Sequence, residues 1–243
     1  TSGALVAAMK LGANPIQLSW IQLNPYTNPT ERGFGTSALF TNHCANDYGL
    51  SVNPKTGKRF MNEHAGRKVK SDSIFACMAQ SDKNDNYPVN ICDQAAVDAN
   101  NIAYTKKGVE EGSIKKFNTL EELAKAYNIP LEPFLETIKN FNEYVKNEKD
   151  PEFGKPLTKA DVNGIGITKA PFYASETTPK ILYCMGGVEI NTKAQVISAT
   201  THEPIAGLYA AGEITGGVHG ASRLGTMSMA DCMVFCMVAG ENI

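Results

Sequence analysis

Gly207-Leu208-Tyr209-Ala210-Ala211-Gly212-Glu213-Ile214-Thr215-Gly216-Gly217-Val218-His219-Gly220-Ala221-Ser222-Arg223-Leu224-Gly225 is the stretch on which the reading of this chain turns. Its first six residues have strand and turn character, and a final helix is expected from about Thr226 to Ala239. Five glycines, at 212, 216, 217, 220 and 225, fall in the connection between them. Without side chains the backbone can approach a flat or anionic ligand closely, and the helix that follows offers unpaired N–H groups and the positive end of its dipole. The same glycines would also serve a tight packed turn, and the spacing is not GxGxxG.

Upstream, the tail continues as short strands over Gly187 to Asn191 and Ala194 to Ile197. At the other end of the chain, Leu5, Val6, Met9 and Leu11 separated by small residues predict a helix from Ser2, stopped by Gly12 and Asn14-Pro15. Ile16 to Leu23 predicts a strand with Trp20 in its middle, broken by Asn24-Pro25. Gly, Asn, Thr and Pro then mark a loop up to Gly35. Leu50-Ser51-Val52, the turn Pro54 to Gly57 and Arg59-Phe60-Met61 form a hairpin pattern, and Pro88 to Cys92 a further strand. Asn118 or Thr119 caps a helix carrying Leu120, Leu123, Ala124 and Tyr127, and Phe134, Ile138, Phe141 and Val145 define a second. The organisation expected is one domain in two pieces, 1–24 and 171–243, interrupted by an inserted α+β domain at 25–170.

Globular composition, with 42% hydrophobic and 20% charged residues, excludes disorder as the default. A net charge of -2, with positive and negative residues interleaved, gives no basic stripe for nucleic acid. No apolar run reaches the roughly 20 residues of a membrane span. The six cysteines show no CxxC or CxxCH spacing, so they are expected as reduced, buried side chains and no metal site is assigned. Cys232 and Cys236 share a helix face, as do Met229, Met233 and Met237, and both sets read as core packing. His43 and His202 read as ordinary loop residues, and the Lys106-Lys107 and Lys115-Lys116 pairs as solvated surface.

The opening string, with its GLYAAGE, glycine pair, HG and R-L-G, resembles the signature near the C-terminus of flavoproteins of the fumarate reductase and succinate dehydrogenase family, in particular the soluble flavocytochrome members. Cys184-Met185-Gly186-Gly187-Val188-Glu189-Ile190-Asn191-Thr192 resembles the family's MGG strand, and Gly57-Lys58-Arg59-Phe60-Met61-Asn62-Glu63 the hairpin before its catalytic arginine. The resemblance covers almost the whole chain. It implies an α/β remainder of an FAD-binding, Rossmann-like domain with an inserted α+β capping domain that closes as a lid. It also implies FAD as cofactor and reduction of the C=C bond of an unsaturated carboxylate. By position, Arg67 becomes the proton donor and Arg223 the carboxylate clamp, with Tyr183 and Thr41 completing the pocket. Glu213 falls where a family glutamate holds the FAD ribose. Gly187, Gly217, His219, Gly220, Leu224, Gly225 and Ser228 fall around the isoalloxazine. A guanidinium suits the clamp, since its paired donors match a carboxylate and spread its charge.

The chain departs from the family in three respects. Tyr183 stands where fumarate reductases carry a histidine two residues before MGG, and Asn24-Pro25 and Thr41-Asn42 replace His-Pro and Thr-Glu. A mono-acid enoate such as acrylate, methacrylate, a cinnamate or urocanate is therefore expected over fumarate. Asn42 and Ala45 occupy the positions of the family's relay glutamate and arginine, leaving Asp47, Glu63 or His64 as substitutes. No GxGxxG follows an N-terminal strand, and Gly164-Ile165-Gly166 lacks the third glycine and the setting. With Thr1 in place of an initiator Met, the chain is expected to be a fragment, inactive alone, whose partners are a missing N-terminal FAD-binding portion and an electron donor: a haem domain, covalently bound FMN or an NADH-oxidising module. Two rival readings are a related FAD dehydrogenase or oxidase and a non-catalytic remnant.

Overall fold

The computed structural model describes residues 3–100, 102–158 and 166–243. Residues 164 and 165 of the Gly164-Ile165-Gly166 motif lie outside them, as does Ser2. The elements in order are α1 (Gly3–Lys10), β1 (Pro15–Ile16), β2 (Ile21–Thr27), α2 (Ser37–Phe40), a π-helical turn (Thr41–Ala45), α3 (Asn46–Tyr48), β3 (Leu50–Asn53), β4 (Lys58–Arg59), α4 (Arg67–Met78), β5 (Val89–Asp93), α5 (Gln94–Asp98) and α6 (Ile102–Glu110). They continue with β6 (Lys115–Phe117), α7 (Leu120–Ala126), α8 (Leu131–Lys146), β7 (Phe172–Glu176), β8 (Thr178–Cys184), β9 (Gly187–Val188), β10 (Gln195–Ile197), β11 (Pro204–Tyr209), a 3₁₀ turn (Gly212–Ile214) and α9 (Met227–Asn242). The chain divides into two compact units, one formed by 1–23 with 181–243 and the other by 24–180. None of the helices among the described residues is long and apolar enough to cross a membrane.

The 24–180 unit is built on an antiparallel sheet ordered β4-β3-β5-β7-β6. Helices α7 and α8 bury Leu123, Ala124, Phe134, Ile138, Phe141 and Val145 in one core with Leu50, Val52, Val89, Ile91 and Ala174 of the sheet. Helix α7 begins where its sequence dictates: the Thr119 hydroxyl accepts from the Glu122 amide at 3.1 Å, while the Glu122 carboxylate accepts from the Asn118 amide at 2.9 Å. In the other unit, short antiparallel pairs β1–β9 and β10–β11 pack Val188 and Val196 against Ala8 and Ala13.

Several expectations are corrected. Trp20 lies between strands, because Gln17 takes a left-handed conformation (φ 55°) and the Trp20 amide donates back to its carbonyl. The strand that follows runs through Pro25 to Thr27 instead of breaking there, and proline is tolerated because β2 has a single neighbour, β8. Cys44, Cys77 and Cys92 are buried as expected, but Cys184, Cys232 and Cys236 are exposed. Met229, Met233 and Met237 are 63 to 66% exposed, so the methionine row of α9 is not core packing among the described residues. The row is at helical spacing, but α9 is apolar nearly all round, so periodicity could not say which face is covered.

The 24–180 unit also encloses a fully buried carboxylate, that of Glu63. Arg59 donates to it from Nε at 3.1 Å and from Nη2 at 2.7 Å, the Ser51 amide donates at 3.1 Å, and Lys155 lies 3.7 Å away. Arg59 Nη2 also donates to Asp150 at 3.0 Å. Burial alone would raise the Glu63 pKa, and the cations of Lys155 and Arg59 overcome it, leaving the pKa below its usual value. The charge on Glu63 thus contributes stability that is complete above about pH 4.5 and is lost as acid approaches the depressed value. Glu63→Gln leaves Arg59 and Lys155 without their counter-charge and is expected to cost about 3–5 kcal/mol in urea denaturation at pH 7. The deficit should shrink below pH 4.

Candidate active site

In the unit formed by the chain ends, the glycine loop is held by close backbone contact. A Cβ at Gly187 would lie 2.0 Å from the Ile214 carbonyl oxygen, and one at Gly216 would lie 2.9 Å from the Gly187 amide. Both positions are therefore closed to any side chain, and Gly187 is buried in the β1–β9 pairing. Beyond them the loop opens. Gly217 (φ 88°) and Gly220 (φ 63°) are left-handed, and a Cβ at Gly220 would meet nothing within 4 Å. Val218, Leu224 and Met227 stand exposed around them.

Arg223 is buried beneath this exposed surface, 7% accessible. Its guanidinium carbon sits 4.4 Å from the centre of the Tyr183 ring, an interaction worth roughly 2 kcal/mol where water is excluded. Nη1 donates to the Leu224 carbonyl at 2.9 Å, and the Gln22 amide donates to the Arg223 carbonyl at 2.7 Å. Nε is shielded from water and has no acceptor among the described residues. On the far side of Tyr183, Asp231 Oδ2 accepts from the phenol at 3.4 Å and lies 3.2 Å from His219 Nε2. The His219 ring stands edge-on to Tyr183 at 5.6 Å. Burial, then Asp231 and Glu213, push the Tyr183 phenol up to about 12, with Arg223 opposing. Glu213 accepts from the Cys184 amide at 3.0 Å, tying the strand of Tyr183 to the glycine loop. Ser228 lies in the first turn of α9, just after Thr226, which enters the helix left-handed (φ 65°).

The 24–180 unit carries a second cluster. Arg67 opens α4, directly after Gly66, and its Nη1 is screened from water without an acceptor among the described residues. Lys70 follows one turn later on the same face and is 3% exposed. Its ammonium donates to the Tyr26 phenol at 2.8 Å and to the Glu63 carbonyl at 3.1 Å. Burial pushes Lys70 down to about 8. Tyr26 is raised by burial and pulled back by Arg67 beside its hydroxyl. His64 lies 3.3 Å from Asp47. Thr41 opens the π-helical turn, a feature that recurs at functional sites, and its hydroxyl is buried without a partner among the described residues. Of the relay substitutes named from sequence, the Glu63 carboxylate is committed to Arg59, the Ser51 amide and Lys155, so it is a structural anchor.

Three functional candidates escaped the sequence reading: Tyr26, Lys70 and Asp231. Asp231 had a signal, being the lone charged residue between Met227 and Gly240. Lys70 had none, because only the fold shows it opening the buried stripe Lys70, Ser71, Ile74, Cys77 and Met78 of α4.

Open left-handed glycines rimmed by apolar side chains fit the face of a planar ring system such as a flavin, and the shielded Arg223 fits an anion beside it. Gly187→Ala should lose about 3 kcal/mol or more by forcing two backbones apart, whereas Gly220→Ala should lose about 1 kcal/mol for its left-handed conformation alone. Thermal denaturation of the pair measures the difference.

The FAD binding domain family matches residues 3–229. An acrylate reductase flavoprotein subunit of Shewanella woodyi is 39% identical over 99% of this chain and 46% of its own length. A urocanate reductase of Eggerthella lenta is 32% identical over 100% of this chain and 38% of its own. The open conformation of a flavocytochrome c3 fumarate reductase superposes with a TM-score of 0.69 at 31% identity, covering 98% of this chain and 39% of that one. The chain thus spans under half the length of these relatives, and it belongs to the FAD binding domain family, among relatives named as acrylate, urocanate and fumarate reductases.

Proposed function

We propose that this chain carries the substrate-handling residues of an FAD-dependent reductase that saturates the C=C bond of an α,β-unsaturated mono-acid, of the acrylate, methacrylate, cinnamate or urocanate kind, in preference to fumarate. The observation that carries the reading is the buried Arg223, stacked on Tyr183 with an unused Nε donor. FAD, when bound and reduced, supplies a hydride to the β-carbon. Arg223 pairs with the substrate carboxylate and stabilises the enolate-like charge that builds there as the double bond is consumed. Arg67 gives a proton to the α-carbon. Arginine is a weak acid, and the strongly basic carbanionic carbon compensates, provided the proton is replaced quickly. Glu213, Gly217, His219, Gly220, Leu224, Gly225 and Ser228 would border the cofactor, and Thr41 would add a hydroxyl to the substrate pocket.

The preference for a mono-acid rests on charge. Tyr183, where resembling reductases bring a histidine to the second carboxylate, stays neutral, with its pKa near 12, and Asp231 behind it is an acid. A second carboxylate there would find repulsion and an aromatic face, both of which suit an apolar or aromatic substituent. The inserted 25–170 segment is proposed as the capping lid, and the electron donor as a haem, FMN or NADH-oxidising module outside this chain.

The FAD-loaded holoenzyme assayed with reduced viologen should turn over acrylate-type acids at least about tenfold more efficiently than fumarate, a gap of roughly 1.4 kcal/mol. Faster reduction of fumarate than of every mono-acid would overturn the preference. Arg67→Ala should lower kcat by about 10²–10⁴-fold with little change in acid binding. Arg223→Ala should weaken acid binding by about 10- to 100-fold.

A further inference from the structure

We infer that Tyr26 and Lys70 are the proton supply of Arg67: the Lys70 ammonium donates to the Tyr26 phenol oxygen as the phenol passes its own proton to the guanidine. The inference rests on the proposed role of Arg67 as donor.

The need for such a supply is visible in the chain. Each turnover leaves Arg67 one proton short, and the two positions where resembling reductases carry a relay glutamate and arginine hold Asn42 and Ala45, neither of them ionisable. The Glu63 carboxylate is engaged by Arg59 and the Ser51 amide. What the fold brings to Arg67 instead is an ammonium that is 3% exposed, one helical turn away, donating at 2.8 Å to the phenol beside the guanidinium. Desolvating an ammonium costs several kcal/mol, and the hydrogen bonds that the buried Lys70 donates go to the Tyr26 phenol and the Glu63 carbonyl. The charged groups felt at Lys70 are Glu63 from the loop after β4, Asp47 from α3 and Arg67 on its own helix, and the net result with burial is a pKa near 8. A lysine so placed is a competent acid at neutral pH, unlike one in water.

The step balances without an outside reagent. Arg67 loses a proton to the substrate carbon, the Tyr26 O–H transfers its proton to the guanidine, and a Lys70 N–H transfers to the phenol oxygen. Tyrosine is restored, arginine is again a cation and lysine is an amine. Lys70 is then reprotonated from solvent by way of Asp47 and His64, which pair at 3.3 Å, are each 23% exposed at the side chain, and the first of which acts electrostatically on both Lys70 and Tyr26.

The test is steady-state turnover of the FAD-loaded holoenzyme with acrylate and reduced viologen, for wild type, Tyr26→Phe, Lys70→Met and Arg67→Ala. Tyr26→Phe deletes one oxygen and keeps the ring against which Lys70 packs at 4.3 Å, so it stays informative even if Lys70→Met fails to fold. Both relay variants should lower kcat about 10- to 100-fold with KM within about threefold, and raise the D₂O effect on the rate. Because the donor must be protonated, the wild-type kcat should fall as pH rises through about 8, and Lys70→Met should lose that limb. Wild-type rates in both relay variants beside an inactive Arg67→Ala overturn the relay and leave the proposed function standing. Slower turnover with an unchanged D₂O effect and unchanged pH limb assigns the residues a structural role and overturns the relay as well. Full activity of Arg67→Ala overturns both.

Discussion

A carboxylate sealed from water, that of Glu63, is the constraint on which the 24–180 unit is organised. Such a group is tolerable only when its charge is met, and here the partners come from separated parts of the chain: Arg59 on β4 and the Ser51 amide on β3 donate to it, and the Lys155 ammonium lies 3.7 Å away. Arg59 in turn lies 5.4 Å and 5.1 Å from the ring centres of Phe141 and Phe153, so the ion cluster is keyed into the aromatic part of the core. The Glu63 main chain then accepts from Lys70. The segment leading from the hairpin to Arg67 is thereby fixed at its start by the carboxylate and at its end by the first turn of α4. A guanidinium with the role proposed for Arg67 would benefit from such support.

The unit of the chain ends solves a related problem by different means. Its glycine loop is held by main-chain proximity at Gly187 and Gly216, by the Glu213 carboxylate and by the buried acid Asp231. Asp231 joins the phenol of Tyr183 to the imidazole of His219, and Tyr183 offers its face to Arg223. Four side chains separated by up to 48 positions in sequence are thus linked through Tyr183 and Asp231.

Much of this was legible in the chain and some was not, for physical reasons. The hairpin, the capped helix at Thr119 and the amphipathic α8 announce themselves through turn residues, a capping oxygen and a 3.6-residue period. Helix α4 does not, because the first two positions of its buried stripe are Lys70 and Ser71. A polar residue at a core position reads locally as loop, and the partners that make it tolerable, Tyr26 and the Glu63 carbonyl, are distant in sequence or belong to the backbone. The positions of Arg67, Arg223 and Tyr183 were found through motif resemblance. Their surroundings, which decide what those groups can do, came from the fold. Methionine periodicity misled at α9, since spacing fixes which residues share a face but not what lies against it.

That face has a chemical consequence of its own. Met229, Met233 and Met237 present three thioethers in a row, with Val234 beside them and the thiols of Cys232 and Cys236 on the same helix, all exposed. Thioethers open to solvent are converted by peroxide to polar sulfoxides, and accessible thiols climb their own oxidation ladder. Helix α9 thus lays its sulfurs open to oxidants, and at a fixed peroxide dose the sulfoxide found in its tryptic peptide would report how accessible they are.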